Sequence, residues 1–149
     1  MRHEGDASAH GVVVDANVVA KWFLNEADSD DARRVLRSES VLVAPDLLIP
    51  ELGSIFREKV RSRELTTQDS AKAIEIVLER VLLVTSEDAF NVALEICTTA
   101  SVSFYDALYV ALARNLGVEL VTADERLIRA LGSEFTGVLR PLPAYEPEA

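Results

Sequence analysis

Four acidic residues fall where apolar runs give way to helix-forming sequence. Asp15 closes the strand-like VVV of VVVDANVV, Glu51 follows Pro50 in LLIPELGS, Asp106 sits in SFYDALYV, and Asp124 comes just after ELVT. A carboxylate at such a place can hold a cation, move a proton or simply cap a helix. Taken singly, the last role suffices. Asp15 and Asp124 suit N-caps, accepting backbone N–H bonds that the following helices leave unmade. Asp106 suits the third position of a capping box opened by Ser103, and Glu51 suits the positive end of its helix dipole.

Together the four ask for more. Two carboxylates about 4 Å apart repel by about 4 kcal/mol at an effective dielectric of about 20. A cap contributes only about 1 kcal/mol. Convergence therefore requires proton uptake, a basic partner or a bound cation. No Lys or Arg adjoins Asp15, Asp106 or Asp124 in the strand-end turns, and Lys21 and Arg126 are the nearest in sequence. An oxygen-only donor set without His or Cys suits Mg²⁺ or Mn²⁺ rather than Zn²⁺. His3 and His10 lie in the N-terminal segment, away from these motifs.

The elements that must position these acids alternate. Val12 to Val14 read as a buried strand, apolar on both faces. A helix follows through NVVAKWFLN, and a second through SDDARRVLRS with Ser29 or Asp30 as its cap. VLVAP is a second strand. DLLIPELGSIFREKVRS is a helix with Pro50 in its first turn or at a kink. Thr67 is the expected cap of TQDSAKAIEIVLERV and Ser86 that of SEDAFNVALEICTTA, making the middle of the chain helical. SVSFYDALYVALARNLG runs from a Ser103/Asp106 cap to a Gly117 stop, VELVT is a strand, ADERLIRALG ends at Gly132, and GVLRPL is a last edge strand. Strands separated by helices imply a mainly parallel sheet covered on both faces. In such sheets, sites form at the carboxyl ends of the strands.

Composition sets the bounds. At 149 residues with 49% hydrophobic and 27% charged residues, the chain fits one globular domain able to bury roughly two-thirds of its surface. The expected organisation is a flexible polar tail over 1–10, the domain over 11–140 and a C-terminal tail over 141–149. A net charge of −10 excludes a protein that coats nucleic acid by bulk positive field. It leaves room for a site that handles phosphate through cations. The lone Cys97 cannot form an internal disulfide and fits a reducing compartment as a small buried hydrophobe. With no bilayer-length apolar run and no signal-peptide core, the expected location is the cytoplasm. The local basic clusters supply Arg33, Arg34, Arg57, Lys59 and Arg61. These are either a solvated helix face or a nucleic-acid track.

In order and spacing, VVVDANV, PELGSIFREKV, SFYDALYVALA and LVTADERLIRAL resemble the acidic motifs of PIN-domain ribonucleases, and especially the VapC-type toxins of toxin–antitoxin pairs. The resemblance covers roughly 11–140 and implies a three-layer α/β/α fold whose acids hold Mg²⁺ or Mn²⁺ and cleave single-stranded RNA. Carried onto this chain, Asp15, Glu51, Asp106 and Asp124 match the family's acids. Asn17 and Thr122 match supporting polar positions, and Glu125 is the acid next to the fourth. The resemblance also implies a small antitoxin partner and a homodimer, expected on the early helices. Trp22 and Phe23 fit either the antitoxin groove or the core.

Two other readings compete with it. A haloacid dehalogenase-type phosphatase also begins with a strand ending in Asp, but Asn17 stands where its second Asp belongs. A catalytically silent module on the same fold would need no acids, and all four are present.

Overall fold

The computed structural model describes residues 10–135 and 137–147. The expected N-terminal tail, including His3, lies outside the described residues except for His10. Five strands form one parallel sheet: β1 (Gly11–Val14), β2 (Val41–Pro45), β3 (Val81–Val84), β4 (Glu119–Thr122) and β5 (Leu139–Pro141), in the spatial order β3-β2-β1-β4-β5. The helices are α1 (Ala16–Lys21), α2 (Ser29–Arg37), α3 (Leu48–Arg61), α4 (Thr67–Arg80), α5 (Phe90–Thr99), α6 (Phe104–Leu116) and α7 (Glu125–Leu131).

β1 lies at the centre because it is apolar on both faces. Val12, Val13 and Val14 are buried, paired with β2 on one side and with β4, Val14 beside Val121, on the other. Helices α1 to α4 pack on one another, and α5 pairs with α6, which lies across β1, β2 and β4. This is the expected α/β/α layering. The strand order reverses between β1 and β4, so the crevice at their carboxyl ends is the natural binding place.

α6 is bounded as the sequence predicts. The Ser103 side chain accepts from Asp106 N–H, and Gly117 closes the helix at φ +68°, which glycine adopts without a Cβ penalty. Pro50 lies in the first turn of α3, where its missing N–H is harmless.

Several local expectations change. Neither Ser29 nor Asp30 caps α2, which follows Asp28 without a side-chain cap, and Thr85 rather than Ser86 caps the short 3₁₀ turn that precedes α5. Val81–Val84 is a strand rather than part of an all-helical middle. Nothing in ERVLLVT breaks the helix, and β3 forms because the edge of β2 accepts it. Thr66, not Thr67, caps α4, in a reciprocal box with Asp69. α1 stops at Lys21, and the turn after it is held by the Arg33 guanidinium, which donates to the carbonyls of Trp22 and Leu24. Finally, residues assigned to a C-terminal tail return to the domain: Pro141 ends β5, Leu142 is buried, and the Tyr145 hydroxyl meets Ser40 at 3.0 Å.

Trp22 belongs to the core, buried edge-on against Phe23, with its indole N–H unpartnered among the described residues. Cys97 is half-buried against the core and free. No helix among the described residues is long and apolar enough to cross a membrane.

Candidate active site

The turn after β1 fixes Asp15. Its Oδ1 accepts Val18 N–H at 2.9 Å, capping α1. Thr122, the last residue of the neighbouring β4 and fully buried, hydrogen-bonds the same carboxyl group. The Thr122 hydroxyl oxygen also accepts Asp124 N–H at 3.0 Å. Asp124 then caps α7, its Oδ1 taking the N–H groups of Arg126 and Leu127 at 3.0 and 3.1 Å. One threonine thus ties together the acids that end two adjacent strands.

The caps expected at Asp15 and Asp124 form, while Asp106 gives only its backbone N–H to Ser103 and closes no reciprocal box; these roles do not exhaust the residues. Asp15, Asn17, Glu51, Asp106 and Asp124 line one cleft of about 670 Å³ with Tyr109. Each helix positions its acid differently. Glu51 enters from the first turn of α3, and Asp106 and Tyr109 sit one helical turn apart on α6, facing the same way. The Tyr109 hydroxyl donates to Glu51 Oε1 at 2.6 Å.

Electrostatics shows the cost of this arrangement. Burial, with added repulsion from Asp106 and Asp124, pushes the Asp15 carboxyl up to about 6, against the lowering effect of the bonds from Thr122 and Val18. Burial also raises Glu51, with Asp106 adding to it, while the Tyr109 bond works the other way. Asp106 is raised by burial and by Asp124, and lowered by Ser103 and the Arg126 charge. None of these four acids makes an ion pair among the described residues.

The donor set fits a hard cation, being carboxylate oxygen throughout. Among the described residues no three His, Cys, Asp or Glu side chains are gathered closely enough to chelate one ion. Magnesium usually keeps several waters and is held by only one or two carboxylates, whereas zinc favours His and Cys ligands, which this cleft lacks among its lining residues.

A model of the PIN domain family matches residues 12–132. The chain belongs to the PIN-domain family. Within that family it is 36% identical over 123 residues to the ribonuclease VapC1 of Mycobacterium tuberculosis, covering 80% of this chain and 90% of that one. It is 31% identical over 137 residues to the ribonuclease VapC3 of Pyrobaculum aerophilum, covering 87% and 98%. A solved structure with the same fold is VapBC2 of Rickettsia felis bound to a promoter DNA fragment, with a TM-score of 0.62 at 14% identity over 88% of this chain and 98% of that one.

In this PIN domain the sequence-predicted residues separate into groups. The four acids share the cleft. Asn17 lies exposed on the cleft lining, with no bond to a carboxylate among the described residues. Glu125 points away, exposed and 3.9 Å from Arg129. The basic residues do not form one track. Arg33 is spent on backbone carbonyls, Arg34 pairs with Asp31, and Lys59 pairs with Glu26 and Glu64. Arg57 and Arg61 line a separate, mostly apolar groove between α3 and α4. Lys21 is held by Glu26 and Asp28 and does not reach the acids.

Tyr109 is the residue that sequence reading missed. Its only signal was position: three residues after Asp106 on one helix, it had to share that acid's face.

Proposed function

We propose that this PIN domain is a metal-dependent endoribonuclease that cleaves single-stranded RNA, the toxin of a toxin–antitoxin pair acting in the cytoplasm. The observation that carries the reading is the cleft in which four unpaired carboxylates converge, three of them with pKa values raised by burial and mutual repulsion. The ribonuclease names of its relatives support the substrate class. The toxin–antitoxin structures that share its fold support a small antitoxin partner. Ile76, Leu78, Phe90 and Leu94 remain exposed, while α1 and α2 expose no large apolar side chain among the described residues. This favours a homodimer built on α4 and α5 rather than on the early helices.

Asp15 and Asp106 would hold Mg²⁺ or Mn²⁺ directly, with Asp124 and Glu51 holding its waters. Bound there, the cation supplies positive charge at the phosphate and a more acidic water. The chain's own residues do the rest. Thr122 and the Val18 N–H orient Asp15, and Tyr109 fixes Glu51 through Oε1. Glu51 Oε2 is then free to take a proton from the attacking water, a task that its raised pKa suits. Asn17 stands at the rim, placed to donate to a phosphate oxygen.

The test is cleavage of end-labelled single-stranded RNA by the purified chain in Mn²⁺, Mg²⁺ and EDTA, with Asp106→Asn as the contamination control. Metal-dependent cutting that the variant lacks is the expected result. Equal cutting by both proteins, or none by antitoxin-free wild type that binds Mn²⁺, would overturn the reading.

A further inference from the structure

We propose that the groove between the start of α6 and α7 is a phosphate subsite for the RNA strand that crosses the acid cleft, with Arg126 and Arg129 as its contact residues. The inference rests on the ribonuclease reading above. The groove encloses about 580 Å³ and adjoins the acid cleft, with Asp106 and Asp124 lining both and marking the border between them. Arg126 and Arg129, three residues apart on α7, fall on one face of the helix, and both line this groove.

These arginines differ from most of the chain's other cations in being uncommitted. The Arg126 guanidinium makes no hydrogen bond or ion pair among the described residues, though its charge reaches Asp106. Among the described residues Arg129 has only an exposed contact with Glu125 at 3.9 Å, which holds it weakly. Arg33 and Arg80, by contrast, are spent on backbone carbonyls, and Arg140 on Glu119 at 2.6 Å.

A strand bound at the acids brings a phosphate for every nucleotide, and the neighbouring phosphates enter a trough already rich in carboxylate. Within it, Arg126 and Arg129 supply the positive charge. Ser101 and Ser103 line the same groove, and Leu127 and Val102 add apolar surface for a ribose or base edge. Contacts of this kind hold and orient a strand without reading its sequence.

Binding is measured by fluorescence anisotropy of a labelled single-stranded oligoribonucleotide on the Asp106→Asn protein in EDTA, with and without Arg126→Ala and Arg129→Ala. The double replacement should weaken binding about tenfold, to the same extent for unrelated sequences. It should also make the salt dependence shallower by about 0.7 for each phosphate that is no longer neutralised. Replacement of both by Lys should restore most of the affinity, because a phosphate needs charge more than a planar fork. On the otherwise intact chain with Mg²⁺, the double Ala variant should raise KM and leave kcat within about twofold.

Unchanged affinity and salt slope in a variant that melts with the parent would overturn the subsite. So would a loss confined to kcat, or equal binding of a labelled polyglutamate peptide. If the intact chain cuts no RNA but binding still depends on the arginines, the subsite stands and the ribonuclease reading falls. If RNA neither binds nor is cut, both fall.

Discussion

At the amino ends of the strands, the Arg80 guanidinium donates to the carbonyls of Leu36, Ser38 and Ser40, at 2.9, 2.7 and 3.3 Å. Ser40 and Tyr145 meet beside it at 3.0 Å. At the carboxyl ends, Asp15 is buried with its pKa pushed up to about 6, and no cation among the described residues pairs with it. One end of the sheet satisfies its polar groups, and the other leaves charge uncompensated. The second arrangement costs the fold stability by itself, which marks that end as the candidate functional site.

This contrast can be broken at either end. The largest effect is expected from Asp106→Asn, which should cut RNA cleavage by more than about a hundredfold, since even outer partners of metal ligands cost ten- to a hundredfold. Its melting temperature in EDTA should match or exceed that of wild type. At the opposite end, Arg80→Ala should lower stability by about 3 kcal/mol in urea unfolding, because three carbonyls lose a charged donor. The folded variant should keep its turnover at low temperature. Loss of cleavage without loss of stability would erase the distinction between the ends.

Asp15→Asn sharpens the comparison, because asparagine keeps the cap and removes the charge. The folded Asp15 holds a proton up to about pH 6, whereas a free aspartate loses it near 3.8. The folded state therefore binds the proton more tightly, and wild-type stability falls as pH rises from about 4 to 6 and stays lower above. In EDTA the variant should match wild type near pH 4 and exceed it by on the order of 2–3 kcal/mol above pH 7. Added Mn²⁺ should narrow that gap by stabilising wild type alone. A gap independent of pH would remove the buried charge from the account. The smallest effect is expected from Tyr145→Phe, about 1 kcal/mol in the same unfolding assay, with cleavage unchanged.

The parts of the fold that the sequence exposes are those where one signal follows another. An apolar strand, then an acid, then a helix gave β1 with Asp15 and β4 with Asp124, and Ser103, Asp106 and Gly117 bracketed α6. β3 was hidden because ERVLLVT passes from helix to strand with neither Gly nor Pro between them, and its pairing depends on β2, over thirty residues earlier. Position along the sequence, read with the family resemblance, pointed the four acids to one site. It could not separate committed from available cations: Arg33 faces two carbonyls across a turn, while Arg126 faces the groove. Tyr109 looked like any core aromatic in an apolar helix, and only the arrival of α3 gives its hydroxyl a partner.

The pairing of β1 with β4 also sets when the site comes into being during synthesis. Asp15 is among the first described residues to leave the ribosome, yet Thr122, which orients it, lies more than a hundred residues later. A nascent chain that has already folded α1 through α5 still lacks one wall of the cleft and both arginines of the adjoining groove. Truncated products ending before residue 119 carry Asp15, Glu51 and Asp106 without the strand that seats the first of them. The order of the chain thus delays the complete site until its last quarter has been made.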